Sequence, residues 1–123
     1  MSLKLDQSNM SNINKLSTAL PAEVERILVQ LGRHIRIARL RRKLRLEDLA
    51  ERVGISRYLM SDIEKGKPTT TIAAYIAALW ALGLSDAMFD IADPDRDLEG
   101  KTLEAARAPK TAAKRTRSLD NEF

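Results

Sequence analysis

The segment from Leu46 to Lys65, LEDLAERVGISRYLMSDIEK, constrains this chain more than any other. It reads as two short helices joined by a tight turn. Two helices that cross closely need a small residue at the crossing, and Ala50 stands there. The turn needs a residue that tolerates positive φ, and Gly54 supplies it. Leu49, Val53, Ile55, Met60 and Ile63 fall at the offsets that anchor both helices to a shared core. Ser56 is placed to cap the second helix, which is expected to run to about Lys65 and to stop at Gly66 and Pro68.

The flanking segments read as helices that complete the bundle. From Ala22 to Arg42, Val24, Ile27, Leu28, Leu31, Ile35 and Ala38 form one apolar stripe. Val29, Ile37 and Leu40 form a second stripe roughly opposite, which a helix with one wet face does not need. That second stripe asks for another contact, either the N-terminal lead-in or a second subunit. Gly32 is a candidate bend or break. After the pair, Thr69, Thr70 and Thr71 offer a cap for a fourth helix whose inner stripe is Ile72, Ile76 and Leu79. Ser85 caps a short fifth helix to about Ile91, with Phe89 inward. Residues 1–20, rich in Ser, Asn and Lys without a sustained period, are expected to be a flexible lead-in. Residues 21–93 form the expected domain. Residues 94–123 form a charged tail with one short helical stretch, Leu103 to Arg107. Neither strand alternation nor an internal repeat is evident.

Charge is unevenly placed around a net +4. No acid lies between Ile27 and Leu46, where Arg33, Arg36, Arg39, Arg41, Arg42, Lys43 and Arg45 cluster. From Asp86 to Glu99 the sign reverses, and Lys110, Lys114, Arg115 and Arg117 turn the end basic again. Such blocks suit a polyanion on one face and exclude it from another. The absence of Cys removes disulfides and thiolate metal sites and fits a reducing, cytoplasmic setting. No apolar run approaches the ~20 residues that span a bilayer. Catalysis finds little support: His34 is the sole His, and no Ser–His–acid set, metal-ligand spacing or Gly-rich phosphate loop is present. The expectation is therefore no enzyme, no cofactor and no metal.

An angled helix pair of this kind lifts its second helix clear of the bundle, and an α-helix fits the DNA major groove. From LGRHIR through EDLAERVGIS to IEKGKP, roughly Leu31 to Phe89, the chain resembles the Xre and phage-repressor family of five-helix DNA-binding domains. The resemblance implies an all-α, five-helix repressor-type domain, here with an extended first helix. Carried over by position, Arg57 and Tyr58 are the leading base readers, with Ser61 and Asp62 one turn later. Arg57 is suited to fork onto guanine O6 and N7. Asp62 either accepts from a cytosine amine or holds Arg57 in place. Arg39, Arg42, Arg45, Ser56, Lys65 and Lys67 are the implied phosphate contacts. The family often starts its second helix with Thr and Gln; here stand Arg45 and Leu46, so Arg45 is the expected substitute.

One such domain touches few base pairs, so a homodimer on double-stranded operator DNA is expected. Trp80 and Met88 are the candidate interface residues, Trp80 as an aromatic anchor on an otherwise wet face. The stretch FDIADPDRDLEGKTLEAARAPK resembles the C-terminal extension of HipB-like antitoxins. That likeness implies an alternative to a repressor acting alone: an antitoxin that also holds a HipA-like kinase toxin.

Overall fold

A computed structural model describes residues 19–109, all helices and connecting turns with no strand among them. Five α-helices follow in order: α1 (Ala22–Arg41), α2 (Leu46–Val53), α3 (Arg57–Lys65), α4 (Ile72–Ala81) and α5 (Leu98–Arg107). A 3-10 helix, Ser85–Asp90, lies between the last two. The chain divides into two compact units, one up to Met88 and one from Phe89 onward. The expected lead-in up to residue 18 and the basic end from residue 110 lie outside the described residues.

The first unit is built on α2 and α3, held between α1 and α4. Its core joins Ile35 and Ala38 of α1, Leu49 and Ala50 of α2, Met60 and Ile63 of α3, and Tyr75, Ala78, Leu79 and Leu82 around α4. Ile35, Leu49, Met60 and Ile63 are fully enclosed. At roughly 1.5–3 kcal/mol for each large aliphatic side chain removed from water, these four supply much of the drive to fold. Val53 and Ile55 pack against this centre as expected, while Ala50 lets the two short helices cross.

Caps fix where the helices start and stop. Ser56 Oγ accepts the Leu59 N–H at 3.0 Å and Thr71 Oγ1 accepts the Ala74 N–H at 3.3 Å. Each contact satisfies a donor that the first helical turn leaves unpaired. Gly54 and Gly66 end α2 and α3 at φ 82° and 71°. A side chain at either position would strain the backbone. The Tyr75 hydroxyl donates to the Lys67 carbonyl at 2.8 Å and closes the loop after α3. Burial pushes the Tyr75 phenol above its ordinary pKa.

Four expectations are corrected. α1 runs unbroken through Gly32. A Cβ there would lie 2.5 Å from the Ile63 carbonyl, 2.7 Å from that of Glu64 and 2.8 Å from the Gly66 amide. Glycine at this place admits the end of α3, rather than bending α1. In α4 the inner face is Ala74, Tyr75, Ala78 and Leu79, because the helix is rotated to bury the tyrosine; Ile72 is 68% exposed. Phe89, expected inward, is 86% exposed in a 3-10 helix that buries none of its residues.

The fourth correction concerns the second unit. Its helix α5 starts at Leu98, five residues before the expected Leu103, because Asp97 caps it by accepting the Gly100 N–H at 2.9 Å. Arg96 bridges Asp90 at 3.6 Å and Asp93 at 3.8 Å within this same unit.

Candidate nucleic-acid interface

The N-terminal turn of α3 presents Arg57 and Tyr58 to solvent, the tyrosine 76% exposed. Met60 and Ile63 point into the core from the same short helix. Helical geometry therefore aims the first-turn side chains away from the bundle. The Arg57 guanidinium carbon lies 5.7 Å from the centroid of the Tyr58 ring. At that distance the ring face attracts the cation, weakly while both are in water. Ser61 and Asp62 follow one turn later and are half-buried.

Helix α3 is fixed from below by a buried ion pair that sequence reading missed. Arg39 of α1 donates from Nε to Glu64 Oε2 at 2.7 Å and from Nη2 to Oε1 at 3.0 Å. Its Nη1 donates to the Leu44 carbonyl at 2.8 Å. The two side chains are 10% and 8% exposed. A bidentate fork of this kind restricts orientation as well as distance. It thus joins α1, the α1–α2 turn and the end of α3. The expected phosphate role of Arg39 is corrected by this geometry: its guanidinium is inside, with Nε, Nη1 and Nη2 each donating to Glu64 or Leu44. Glu64 lies at helical spacing from Met60, on the inner side of α3. That spacing was the available signal.

The remaining expected residues stay on the surface in distinct settings. Arg42 is exposed and donates from Nη1 to the Ala38 carbonyl at 2.9 Å. Arg45 sits before α2 and bonds Asp48 at 3.0 and 3.2 Å, with Glu47 at 3.4 Å. The Arg45 side chain, then its backbone N–H, hold the Asp48 carboxyl below its ordinary pKa. Lys65 is exposed at the end of α3. Lys67 Nζ lies 3.0 Å from Asp62 Oδ1. Asp62 is therefore partnered with Lys67, and the expectation that it holds Arg57 is not met. Ser56 spends its oxygen on the Leu59 amide, which leaves its hydroxyl proton for an outside acceptor.

The two interface candidates differ. Trp80 is 67% exposed on α4. Met88 packs partly against the core of its own unit. No group of three or more His, Cys, Asp or Glu side chains is placed to hold a metal ion among the described residues. No helix among them is long and apolar enough to cross a membrane.

Residues 30–90 match a family model described as a helix-turn-helix domain. The matched stretch contains α2, α3 and α4 whole, and so the whole of the angled pair. No characterised protein and no solved structure matches the chain.

Proposed function

We propose that this chain is a sequence-specific DNA-binding regulator that sets α3 into the major groove. The observation that carries this reading is the exposed first turn of α3, with Arg57 and Tyr58 outward and the helix held at its far end by Arg39 and Glu64. Nine residues of helix span about 13.5 Å at the usual rise, enough to lay the first turn against a few base edges. Arg57 reads guanine through two parallel N–H donors, a contact worth about 1–3 kcal/mol of discrimination. Tyr58 packs beside it. Ser56, Arg42, Arg45, Lys65 and Lys67 meet phosphates, and Arg45 and Lys67 exchange their carboxylate partners for phosphate oxygens as they do so. Ser61 and Asp62 contact the next bases.

The active form is a homodimer with two α3 helices about one helical turn of DNA apart, and it acts as a repressor by occupying its operator. Trp80 anchors the pairing. Salt titration of binding tests the DNA reading. Log affinity should fall linearly with log salt, at about −0.9 per phosphate neutralised. Salt-independent binding, or none to any duplex, contradicts it.

The antitoxin reading adds a protein partner to the same DNA chemistry. Its support is the second unit, where Phe89, Ile91, Leu98 and Leu103 are exposed along an acidic stretch. Co-purification with a kinase-like protein encoded beside this chain would favour it over a repressor acting alone.

A further inference from the structure

A concavity of about 660 Å³ runs along the outer side of α1. Ala22, Val29 and Ile37 give it apolar surface, and Glu25, Arg26 and Arg33 give it charge of both signs. Gln30 and His34 complete one flank. None of these residues belongs to the face that Ile35 and Ala38 bury in the core. Val29 is 49% exposed in the middle of the face. The residues on either side of it match in a particular way. Glu25 stands four positions before Val29 and Arg33 four positions after it. Pro21 stands eight before, next to Ala22, and Ile37 eight after. Acid is thus opposed to base, and apolar to apolar, at equal distances from one valine.

We infer that this face is a self-association surface, on which a second copy of the chain lays its own α1 antiparallel, with the two-fold axis at Val29. An isologous contact of that kind sets each position against the one equally far on the other side of the axis. Val29 then meets Val29, Glu25 of each copy meets Arg33 of the other, and Ile37 of each meets Pro21 and Ala22 of the other. The matched levels span about 24 Å at the usual helical rise. Residues turn by about 100° each, so Arg26 falls on the opposite flank from Glu25. A two-fold antiparallel pair brings like flanks together. Arg26 therefore lies beside the partner's Gln30, whose amide oxygen accepts, and Glu25 has the partner's exposed Arg36 one turn beyond Arg33. A parallel pairing would instead set Glu25 on Glu25 and Arg33 on Arg33, which like-charge repulsion disfavours. The contact uses other residues than Trp80 on α4 and needs no DNA. Made together with the pairing at Trp80, it joins dimers into larger assemblies, a consequence that rests on that earlier reading.

Disulfide trapping of the full chain tests the surface. The sequence has no Cys, so Val29→Cys introduces a single thiol at the symmetry axis. Facing Cα atoms of closely packed helices come within disulfide reach, about 4.4–6.8 Å. Trp80→Ala is included in every variant, so that only contacts other than Trp80 are read. Under mild oxidation Val29→Cys should link into dimers about tenfold or more faster than Arg52→Cys, an exposed position on α2. Adding Glu25→Arg should slow the linking about tenfold, since two ion pairs become two repulsive ones. Adding Arg33→Glu to that variant should restore the rate, because the charges again alternate across the contact. Helicity by circular dichroism checks that each variant folds. Linking no faster than for Arg52→Cys, indifference to Glu25→Arg, or no recovery with Arg33→Glu would overturn the surface. A thiol at position 29 that neither links nor reacts with a soluble thiol reagent would overturn it in favour of another segment of the chain as its cover. The assay contains no DNA, so each of these failures leaves the DNA reading standing.

Discussion

Replacing Arg39 by Met should cost this small domain a large part of its stability. The substitution removes three donors at once, two from the Glu64 carboxylate and one from the Leu44 carbonyl. It leaves a carboxylate whose side chain is 8% exposed without its partner. Breaking a buried pair on one side costs about 3–5 kcal/mol. Both side chains are at most one-tenth exposed, so water offers little screening, and the full range applies. Domains of this size have roughly 5–15 kcal/mol in total. Each kcal/mol moves Tm by about 4–8 °C, so even the lower figure lowers it by about 12–24 °C. Arg39→Met/Glu64→Leu removes both charges and should recover most of the loss, because well-packed apolar residues often replace a buried pair without penalty. Urea unfolding followed by far-ultraviolet circular dichroism on the three proteins provides the comparison. A loss under about 1 kcal/mol for Arg39→Met, or a double variant no more stable than either single one, would refute a buried, coupled pair.

Three further outcomes are expected. Gly32→Ala should destabilise by about 1–3 kcal/mol in chemical denaturation, although alanine favours helix by about 1 kcal/mol, because the new methyl meets the backbone of Ile63, Glu64 and Gly66; an unchanged midpoint would show that α1 and α3 can separate there. Tyr75→Phe should lose about 1 kcal/mol at neutral pH with its bond to the Lys67 carbonyl. Because burial raises the Tyr75 pKa, its contribution is complete below the ordinary phenol value near ~10 and is lost as pH rises through the folded value; the alkaline arm of a stability–pH profile should therefore be shallower in the phenylalanine variant. Asp62→Asn frees Lys67 from its ion pair and should tighten binding to duplexes of unrelated sequence, where no base contact of Asp62 is lost, with the salt slope unchanged because Lys67 reaches phosphate in both proteins; fluorescence anisotropy at several salt concentrations measures it.

The central pair was legible in the sequence because its determinants are local. Ala50, Gly54, Ser56 and Gly66 each answer a steric or capping requirement within a few residues, so residue type alone identifies the role. Long-range partners were not legible. Arg39 is one of seven basic residues in an acid-free stretch, and only the fold brings it to Glu64, 25 positions away. Gly32 looked like a flaw in a helix because the α3 backbone it admits is remote in sequence. The α4 face was misjudged because Ile72 and Tyr75 are both apolar enough to be buried, and the hydroxyl contact to Lys67 decided the rotation. Phe89 followed the same pattern: its spacing resembles a core position, while a 3-10 helix turns it outward.

Selection from a randomised duplex pool addresses most directly the idea that the outer first turn of α3 reads bases. The native chain should enrich a two-fold symmetric site with half-sites about 34–36 Å apart. Arg57→Ala should enrich the same site with one guanine position relaxed in each half. Identical enriched sites for both proteins would show that Arg57 does not read sequence, and no enrichment by the native chain would contradict sequence-specific binding altogether.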